Sequence, residues 1–113
     1  MKTGIEIIAE ERQRQIDVEG WTPEHDSHHT SGELADAAAT YAMTKNSRAF
    51  LQKMAKDFFE YKEERTTPTI WPWDAEWYKP TPDDRVRELA KAGALIAAEI
   101  DRLNKIKENF ENK

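Results

Sequence analysis

The chain lacks several features that define large classes of proteins. It contains no cysteine, which excludes a disulfide framework, thiolate chemistry and a cysteine-ligated zinc site. It has only four glycines, and none of them belongs to a glycine-rich phosphate-binding loop. No apolar run approaches the length of a membrane span, and the first residues lack the apolar core of a signal peptide. We therefore expect a soluble, cytoplasmic protein that does not bind membranes.

The balance of charged and apolar residues sets further limits. Of 113 residues, 38% are hydrophobic and 35% are charged, so residues 1–113 are predicted to form a single domain with a lean core. The formal net charge of −5 argues against binding to nucleic acid, which needs a basic face. So little apolar content in a helical protein suggests that one apolar stripe is buried between subunits.

Helical periodicity dominates the chain, and no strand pattern or repeat accompanies it. Capping signals mark four predicted helices, and a predicted loop at residues 21–31 separates the first two. The predicted helices run from Thr3 to about Val18, from a capping box of Thr30 and Glu33 to about Thr44, from Ser47 to about Tyr61, and from Thr81 and Pro82 through Phe110. We predict an all-α bundle of about four helices, with a tryptophan-rich loop before the last one. Three long helices with a variable arm are the alternative.

The most unusual stretch is this tryptophan-rich loop, at residues 70–80. Trp71, Trp73 and Trp77 lie within seven residues, and prolines on both sides disfavour a helix. Indole rings are costly to expose, so the loop folds either as an apolar lid over helix ends or as a stacking surface for a base. In the second interpretation Lys79 contacts a phosphate. Both interpretations can hold, each for different rings.

Three carboxylates are candidates for binding a metal ion. Glu33 and Asp36 stand three residues apart on one predicted helix, and paired carboxylates on one helix face commonly hold Mg²⁺. Helix capping by Glu33 and simple solvation of Asp36 are the alternatives. Glu99 lies at the edge of an apolar stripe, where it either forms an ion pair, for instance with Arg12 or Arg14, or faces a ligand.

The loop at residues 21–31 carries all three histidines of the chain. Histidine and aspartate are common metal ligands, but no histidine outside the loop completes a metal-dependent phosphohydrolase site. Asp26 and His29 are instead candidates for ligand contact, because His29 precedes a predicted helix N-terminus, where anions bind. A surface role is the alternative for His29. Arg85, in the first turns of the last predicted helix, opposes the helix dipole and is a candidate for contacting phosphate.

The last predicted helix carries apolar residues at spacings of three and four. They are Val86, Leu89, Gly93, Ile96, Ile100, Leu103 and Phe110. Gly93 predicts a close helix crossing, since a glycine inside a helix otherwise only costs stability. Together with an aromatic face on the third predicted helix, this stripe exceeds what a lean monomer should expose. We therefore predict a homodimer or higher symmetric oligomer, with the third or last predicted helix at the interface.

Several distinctive runs occur along the chain, namely Glu11-Arg12-Gln13-Arg14-Gln15-Ile16, Glu19-Gly20-Trp21-Thr22-Pro23-Glu24-His25-Asp26, Gly32-Glu33-Leu34-Ala35, Ile70-Trp71-Pro72-Trp73 and Lys91-Ala92-Gly93-Ala94-Leu95-Ile96. Together they resemble a family of small phage and prophage proteins of uncharacterised function. The resemblance covers most of the chain except residues 44–69. It implies that the protein acts in the cytoplasm of a bacterial host.

A second resemblance, carried by Glu33-x-x-Asp36, is to the all-α nucleoside triphosphate pyrophosphohydrolases of the MazG and dimeric dUTPase group. It implies an oligomeric helical bundle whose inward carboxylates hold Mg²⁺. That group has a second acidic pair, whereas here Glu99 is followed three residues later by Arg102. This departure weakens the prediction of catalysis.

The resemblances imply a phage-type nucleotide-handling protein that hydrolyses a nucleoside triphosphate. Glu33, Asp36 and Glu99 would hold Mg²⁺, and Glu33 and Glu99 would be catalytic. The residue patterns supply the ligand-binding candidates of this hypothesis, which are Asp26, His29, Trp71, Trp73, Trp77, Lys79 and Arg85. One alternative is a non-catalytic protein that sequesters a nucleotide or signalling molecule from a host pathway. Another is a protein-interaction module formed by the tryptophan-rich loop and the last helix.

Overall fold

The computed structural model describes residues 1–58 and 70–111, with side chains described except at residues 55–58. In these ranges the chain is all-helical and contains no strand, which confirms the predicted fold class. None of the described helices is both long and apolar enough to cross a membrane. The helices are α1 (Gly4–Asp17), α2 (Pro23–Asp26), α3 (Glu33–Ala42), α4 (Lys45–Phe58) and α5 (Arg85–Glu111), with a 3-10 turn at Ala75–Trp77.

The core forms where α5 packs against α3 and α1. Its buried side chains are mostly small, and the cluster consists of Leu34, Ala37, Ala38, Tyr41, Trp71, Ala92, Leu95 and Ala98. Small residues let the helix backbones approach closely. At Gly93 an added Cβ would lie 2.5 Å from Cδ1 of Ile8, which confirms the predicted close crossing and assigns it to α1 and α5.

Of the two capping boxes predicted from the sequence, one forms at the start of α1 and the other does not form at the start of α3. The Thr3 side chain accepts a hydrogen bond from the Glu6 backbone N–H, and Glu6 returns one, so the predicted capping box of α1 is confirmed. The second predicted capping box, of Thr30 and Glu33, is wrong. Gly32 is the N-cap of α3 with a φ of 81°, a backbone conformation that favours glycine. Glu33 is therefore the first helical residue, and its carboxylate accepts the Ser31 N–H instead.

Two further helices begin elsewhere than predicted. The N–H of Ser47, the predicted cap of α4, donates to the hydroxyl of Thr44, so that α4 begins two residues earlier than Ser47. Before α5, the hydroxyl of Thr81 donates to the Asp84 carbonyl, and the Asp84 carboxylate accepts the Arg87 N–H. This turn delays α5 to Arg85. The predicted end of the third helix, at about Tyr61, lies outside the described residues.

The predicted loop at residues 21–31 contains the short helix α2. The Thr22 side chain accepts a hydrogen bond from the His25 N–H, and Pro23 occupies the first turn. A Thr-Pro pair is a helix-start signal, because proline has the helical φ and needs no hydrogen-bonded N–H there. The sequence therefore carried the signal for α2, and the prediction of a continuous loop is wrong at these residues.

Candidate ligand-binding cleft

Trp71 is the ring that anchors the tryptophan-rich loop to the helices. It is 5% exposed, and its Nε1–H donates to the Asp74 carbonyl over 3.1 Å. Its ring meets Tyr41 edge-on, with the centroids 5.5 Å apart, and it also contacts Tyr78 at 5.0 Å. Trp71 therefore agrees with the interpretation of the loop as an apolar lid over the helices.

The other two indoles of the loop lie nearer the surface. Trp73 is half-buried and packs edge-on against Trp71, with ring centroids 5.4 Å apart. Its opposite neighbours are Trp21, at 6.0 Å, and His29, at 5.1 Å. Trp77 belongs to the 3-10 turn and is 44% exposed. These rings have the placement expected of a stacking wall.

A cleft of about 450 Å³ opens between these rings and the segment that joins α1 to α3. Indole, imidazole and carboxylate groups dominate its lining. The residues that line it are Glu19, Trp21, His25, His29, Pro72, Trp73, Asp74 and Trp77. A flat, nitrogen-rich ring is the ligand class that such walls bind best, because they offer stacking faces together with hydrogen-bond acceptors.

Each imidazole of the cleft has a carboxylate next to it. His29 Nδ1 lies 3.2 Å from Oε2 of Glu33, and His25 Nδ1 lies 3.6 Å from Oδ1 of Asp26. Asp26 is 2% exposed and accepts a hydrogen bond from Arg12 at 2.9 Å. The predicted ligand residue Asp26 therefore supports the cleft from behind and does not line it. A carboxylate at Nδ1 leaves Nε2 of the imidazole for a ligand.

The pKa of Glu33 reflects this arrangement. Desolvation raises it, but hydrogen bonds from the backbone N–H groups of Ser31 and Glu33 and from His29 outweigh desolvation and lower the pKa below its ordinary value. Glu33 is therefore a carboxylate at neutral pH, and it holds His29 in place beside the indole of Trp73.

The remaining carboxylate candidates are arranged differently. Glu99 accepts a hydrogen bond of 2.5 Å from Nε of Arg102 on the same helix, so the expected ion pair with Arg12 or Arg14 is not the one that forms. That bond raises the pKa of Arg102, and Glu33 adds to the effect from α3. Asp36 is exposed. Within residues 1–58 and 70–111, no three His, Asp or Glu side chains are grouped so that they could hold a metal ion.

This donor arrangement does not fit a Mg²⁺ ion held by Glu33, Asp36 and Glu99. Arg102 contributes its positive charge at the place where that ion would have to bind, and a cation already satisfies Glu99 there. The role of Mg²⁺ stays a prediction that the side-chain geometry does not support.

The two basic residues predicted to contact phosphate differ in their surroundings. The ammonium of Lys79 lies beside two residues that line the cleft, 5.9 Å from the Trp77 ring centroid and 3.7 Å from Glu19. The guanidinium of Arg85 donates to the carbonyls of Tyr41 and Ala42. Those carbonyls lie at the C-terminal end of α3, where the helix dipole favours a positive charge. Lys79 is therefore available to a ligand in the cleft, whereas Arg85 joins α5 to α3.

Trp21, His25 and Glu19 line the cleft but are absent from the predicted site. The backbone N–H of Trp21 donates to the Gln15 carbonyl, and its carbonyl accepts a hydrogen bond from Arg12. These bonds fold the chain back after α1 and bring Trp21 against Trp73. The signal in the sequence was the fourth tryptophan, which lies next to the segment that carries the histidines.

Comparison with known proteins finds no matching family model, no matching curated protein and no matching solved structure. The resemblances to a phage protein family and to the MazG group therefore stay predictions. The function is therefore inferred from the geometry of the cleft.

Proposed function

We propose that the protein binds a nucleotide, or a nucleotide-derived small molecule, with its base in the cleft between Trp21, Trp73 and Trp77. The observation that carries the proposal is the cleft itself, with three indoles and two carboxylate-backed imidazoles around about 450 Å³. Small-molecule sites are typically concavities of roughly 300–1,000 Å³ with apolar walls and a few polar groups.

Each part of the cleft has a role in this proposal. A base stacks on the exposed face of Trp73 or Trp77, as every base has a π-face. The imidazoles of His25 and His29 hydrogen-bond the edge of the base, and the hydrogen bond to Glu33 holds His29 in position. Lys79 lies at the rim, where the sugar-phosphate part of the ligand leaves the cleft.

Binding without hydrolysis is the form of the proposal that the side chains support best. A pyrophosphohydrolase needs carboxylates that are free to hold a metal ion, and Glu99 is neutralised by Arg102. Hydrolysis is the second candidate, because the Glu33 carboxylate lies 3.2 Å from His29 of the cleft.

Isothermal titration calorimetry with a panel of nucleoside monophosphates and triphosphates tests the proposal. The account expects binding of at least one base, and Trp73→Ala should weaken it at least roughly fivefold, since stacking contributes about 1–3 kcal/mol per base. The matched control is Phe50→Ala, which removes a 61% exposed aromatic ring from α4 and should leave affinity unchanged. The absence of binding by every member of the panel would contradict the proposal.

Recovery of the ligand separates the two candidates. After prolonged incubation with MgCl₂, the binding proposal expects the triphosphate to be recovered intact. Pyrophosphate release that is lost in the double variant Glu33→Gln and Glu99→Gln would establish hydrolysis instead.

A further inference from the structure

Glu19 occupies an unusual position between the cleft and two cations. Its carboxylate lies 3.2 Å from Nη1 of Arg14 and 3.7 Å from Nζ of Lys79. Glu19 lines both the cleft and a small recess of about 20 Å³ behind it. It is therefore a negatively charged group held by two positive ones, beside the place proposed for a base.

Arg14 and Lys79 each have further contacts besides Glu19. Nε of Arg14 also donates to both carboxylate oxygens of Glu11, at 2.6 and 3.0 Å. The backbone of Lys79 is held on both sides, because its N–H donates to the Tyr41 hydroxyl at 3.0 Å and its carbonyl accepts from Lys91 at 2.6 Å. The pair of cations is thus a preformed anion site that an internal carboxylate occupies.

The recess offers one more feature that points to a ligand. Gln15, which lines it together with Arg14 and Lys91, is 1% exposed, and its buried Oε1 has no hydrogen-bond donor among the described residues. A buried carbonyl oxygen without a donor is costly. A hydroxyl or a water molecule delivered with the ligand would satisfy it.

We infer that a phosphate group of the bound nucleotide replaces the Glu19 carboxylate on Arg14 and Lys79. Glu19 then acts as an internal competitor, which lowers the affinity for phosphorylated ligands relative to the bare nucleoside. This inference rests on the proposed nucleotide binding, and it names the anionic group of the ligand and the residues that receive it.

The test compares a nucleoside with its 5′-monophosphate, for example adenosine and AMP if adenine is the preferred base. Removal of the competing charge by Glu19→Gln should raise the affinity for AMP about tenfold, or about 1.4 kcal/mol, and leave that for adenosine within about twofold. Lys79→Gln should lower the affinity for AMP and not for adenosine. The matched control is Glu76→Gln, which removes the same charge at an exposed position that lines neither the cleft nor the recess.

The outcomes are distinct. An equal gain for AMP in Glu76→Gln and Glu19→Gln would show a general charge effect and overturn the inference. If Glu19→Gln left the affinities for adenosine and for AMP unchanged, the inference would also be wrong, while the proposed function would stand. If neither compound nor any other nucleotide binds the wild-type chain, the proposed function and the inference are both wrong.

A different observation concerns α5, which has two apolar faces. The inner face contributes buried alanines and Leu95 to the core. The outer face carries larger side chains that are between 47% and 60% exposed, namely Val86, Leu89, Ile96, Ile100 and Leu103. Residues 103–111 are all exposed, so the end of α5 extends beyond the packed helices.

The outer positions repeat with a period of seven. Val86, Gly93, Ile100 and Lys107 alternate with a second set, which consists of Leu89, Ile96, Leu103 and Phe110. Alternating spacings of three and four over about three and a half heptads define the seam of a coiled coil. At Gly93 this seam is already covered by Ile8 of α1. The exposed apolar positions that follow it are Ile96, Ile100 and Leu103. The helix that matches this spacing is another copy of α5.

We also infer that the outer face of α5 pairs with α5 of a second copy of the chain. Light scattering of the full chain at micromolar concentration should give twice the chain mass of 13.1 kDa. Leu103→Glu should halve that mass, whereas the control Asn109→Glu adds the same charge off the seam and should not. Because Leu103 is exposed, circular dichroism should show retained helix in both variants. A monomeric wild type, or a Leu103→Glu variant that stays dimeric, would overturn this inference.

Discussion

The aromatic residues and the carboxylates of this protein were equally prominent in the sequence. In the fold, the aromatic residues form one connected surface, whereas the carboxylates do not. Trp71, Trp73 and Tyr41 come together as one packed group that continues into an open cleft. Glu33 and Glu99, in contrast, each have a local partner, namely His29 and Arg102. The aromatic group is thus a continuous surface, whereas the carboxylates are separate polar contacts.

A dense run of aromatic residues therefore predicts a site better than the spacing of carboxylates does. Large rings must be buried or must wall a cavity, so a dense run of them identifies a place where the chain folds on itself. A carboxylate has many inexpensive partners, and spacing alone does not say which of them it meets. We therefore expect the aromatic cluster and the carboxylates to respond separately to mutation and to pH.

The largest effect should follow loss of the buried ring. Trp71→Ala removes a 5% exposed indole that contacts three other rings, and it should lower the free energy of unfolding by about 3–5 kcal/mol. Urea denaturation followed by circular dichroism measures this. Trp77→Ala, at a 44% exposed ring, is the control and should cost less than about 1 kcal/mol. Equal losses for both would mean that the loop is anchored by something other than Trp71.

The aromatic cluster should lose stability in alkali. Burial raises the pKa of Tyr41 to about 12 from 10.0, so the folded chain keeps its proton where the unfolded chain releases it. The stabilisation is complete below pH 10 and is lost as pH rises from 10 to 12, by up to about 2.7 kcal/mol at 1.36 kcal/mol per pKa unit. Denaturation series across this range should show the decline.

Tyr41→Phe provides the control for the alkaline decline. The variant should be less stable at pH 9, because the Lys79 N–H loses its acceptor, but its stability should fall less steeply above pH 10. An identical decline in wild type and variant would assign the effect to another group, such as Tyr78, whose pKa burial also raises.

The carboxylate region should respond to acid, and more weakly. The pKa of Glu33 lies below its ordinary value of 4.5, so its stabilisation is present above that value and is lost as pH falls through the lower, folded-state pKa. Glu33→Gln should remove this acid-side loss and leave the alkaline decline intact. Denaturation between pH 3 and about pH 7 measures it, with Asp36→Asn, at an exposed position, as the control. If Glu33→Gln also changed how the free energy of unfolding declines above pH 10, the two regions would be coupled.

Much of the fold could be predicted because its signals are local. The capping box of α1, the buried face of Leu34, Ala37, Ala38 and Tyr41, and the close crossing at Gly93 follow from residues near one another in sequence. The failures were also local in origin. A glycine with positive φ replaced the second capping box, and a turn at residues 81–84 delayed α5.

The candidate site was predicted only in part, for a different reason. Trp73, Trp77 and His29 were identified, but Trp21, His25 and Glu19 reach the cleft through the reversal of the chain after α1. No spacing rule relates residues that far apart. The partner of Glu99, in contrast, is local, because Arg102 stands three residues later on the same helix and needs no tertiary contact to reach it.

The central claim is that three indoles wall a ligand site while the fourth is structural. Indole N–H resonances report this directly in ¹H–¹⁵N spectra, after assignment with single Trp→Phe variants. Titration with the preferred nucleotide should shift the signals of Trp21, Trp73 and Trp77 and leave Trp71, whose N–H is held by the Asp74 carbonyl, nearly unmoved. Four unmoved signals at saturating nucleotide, or a shift confined to Trp71, would contradict the account.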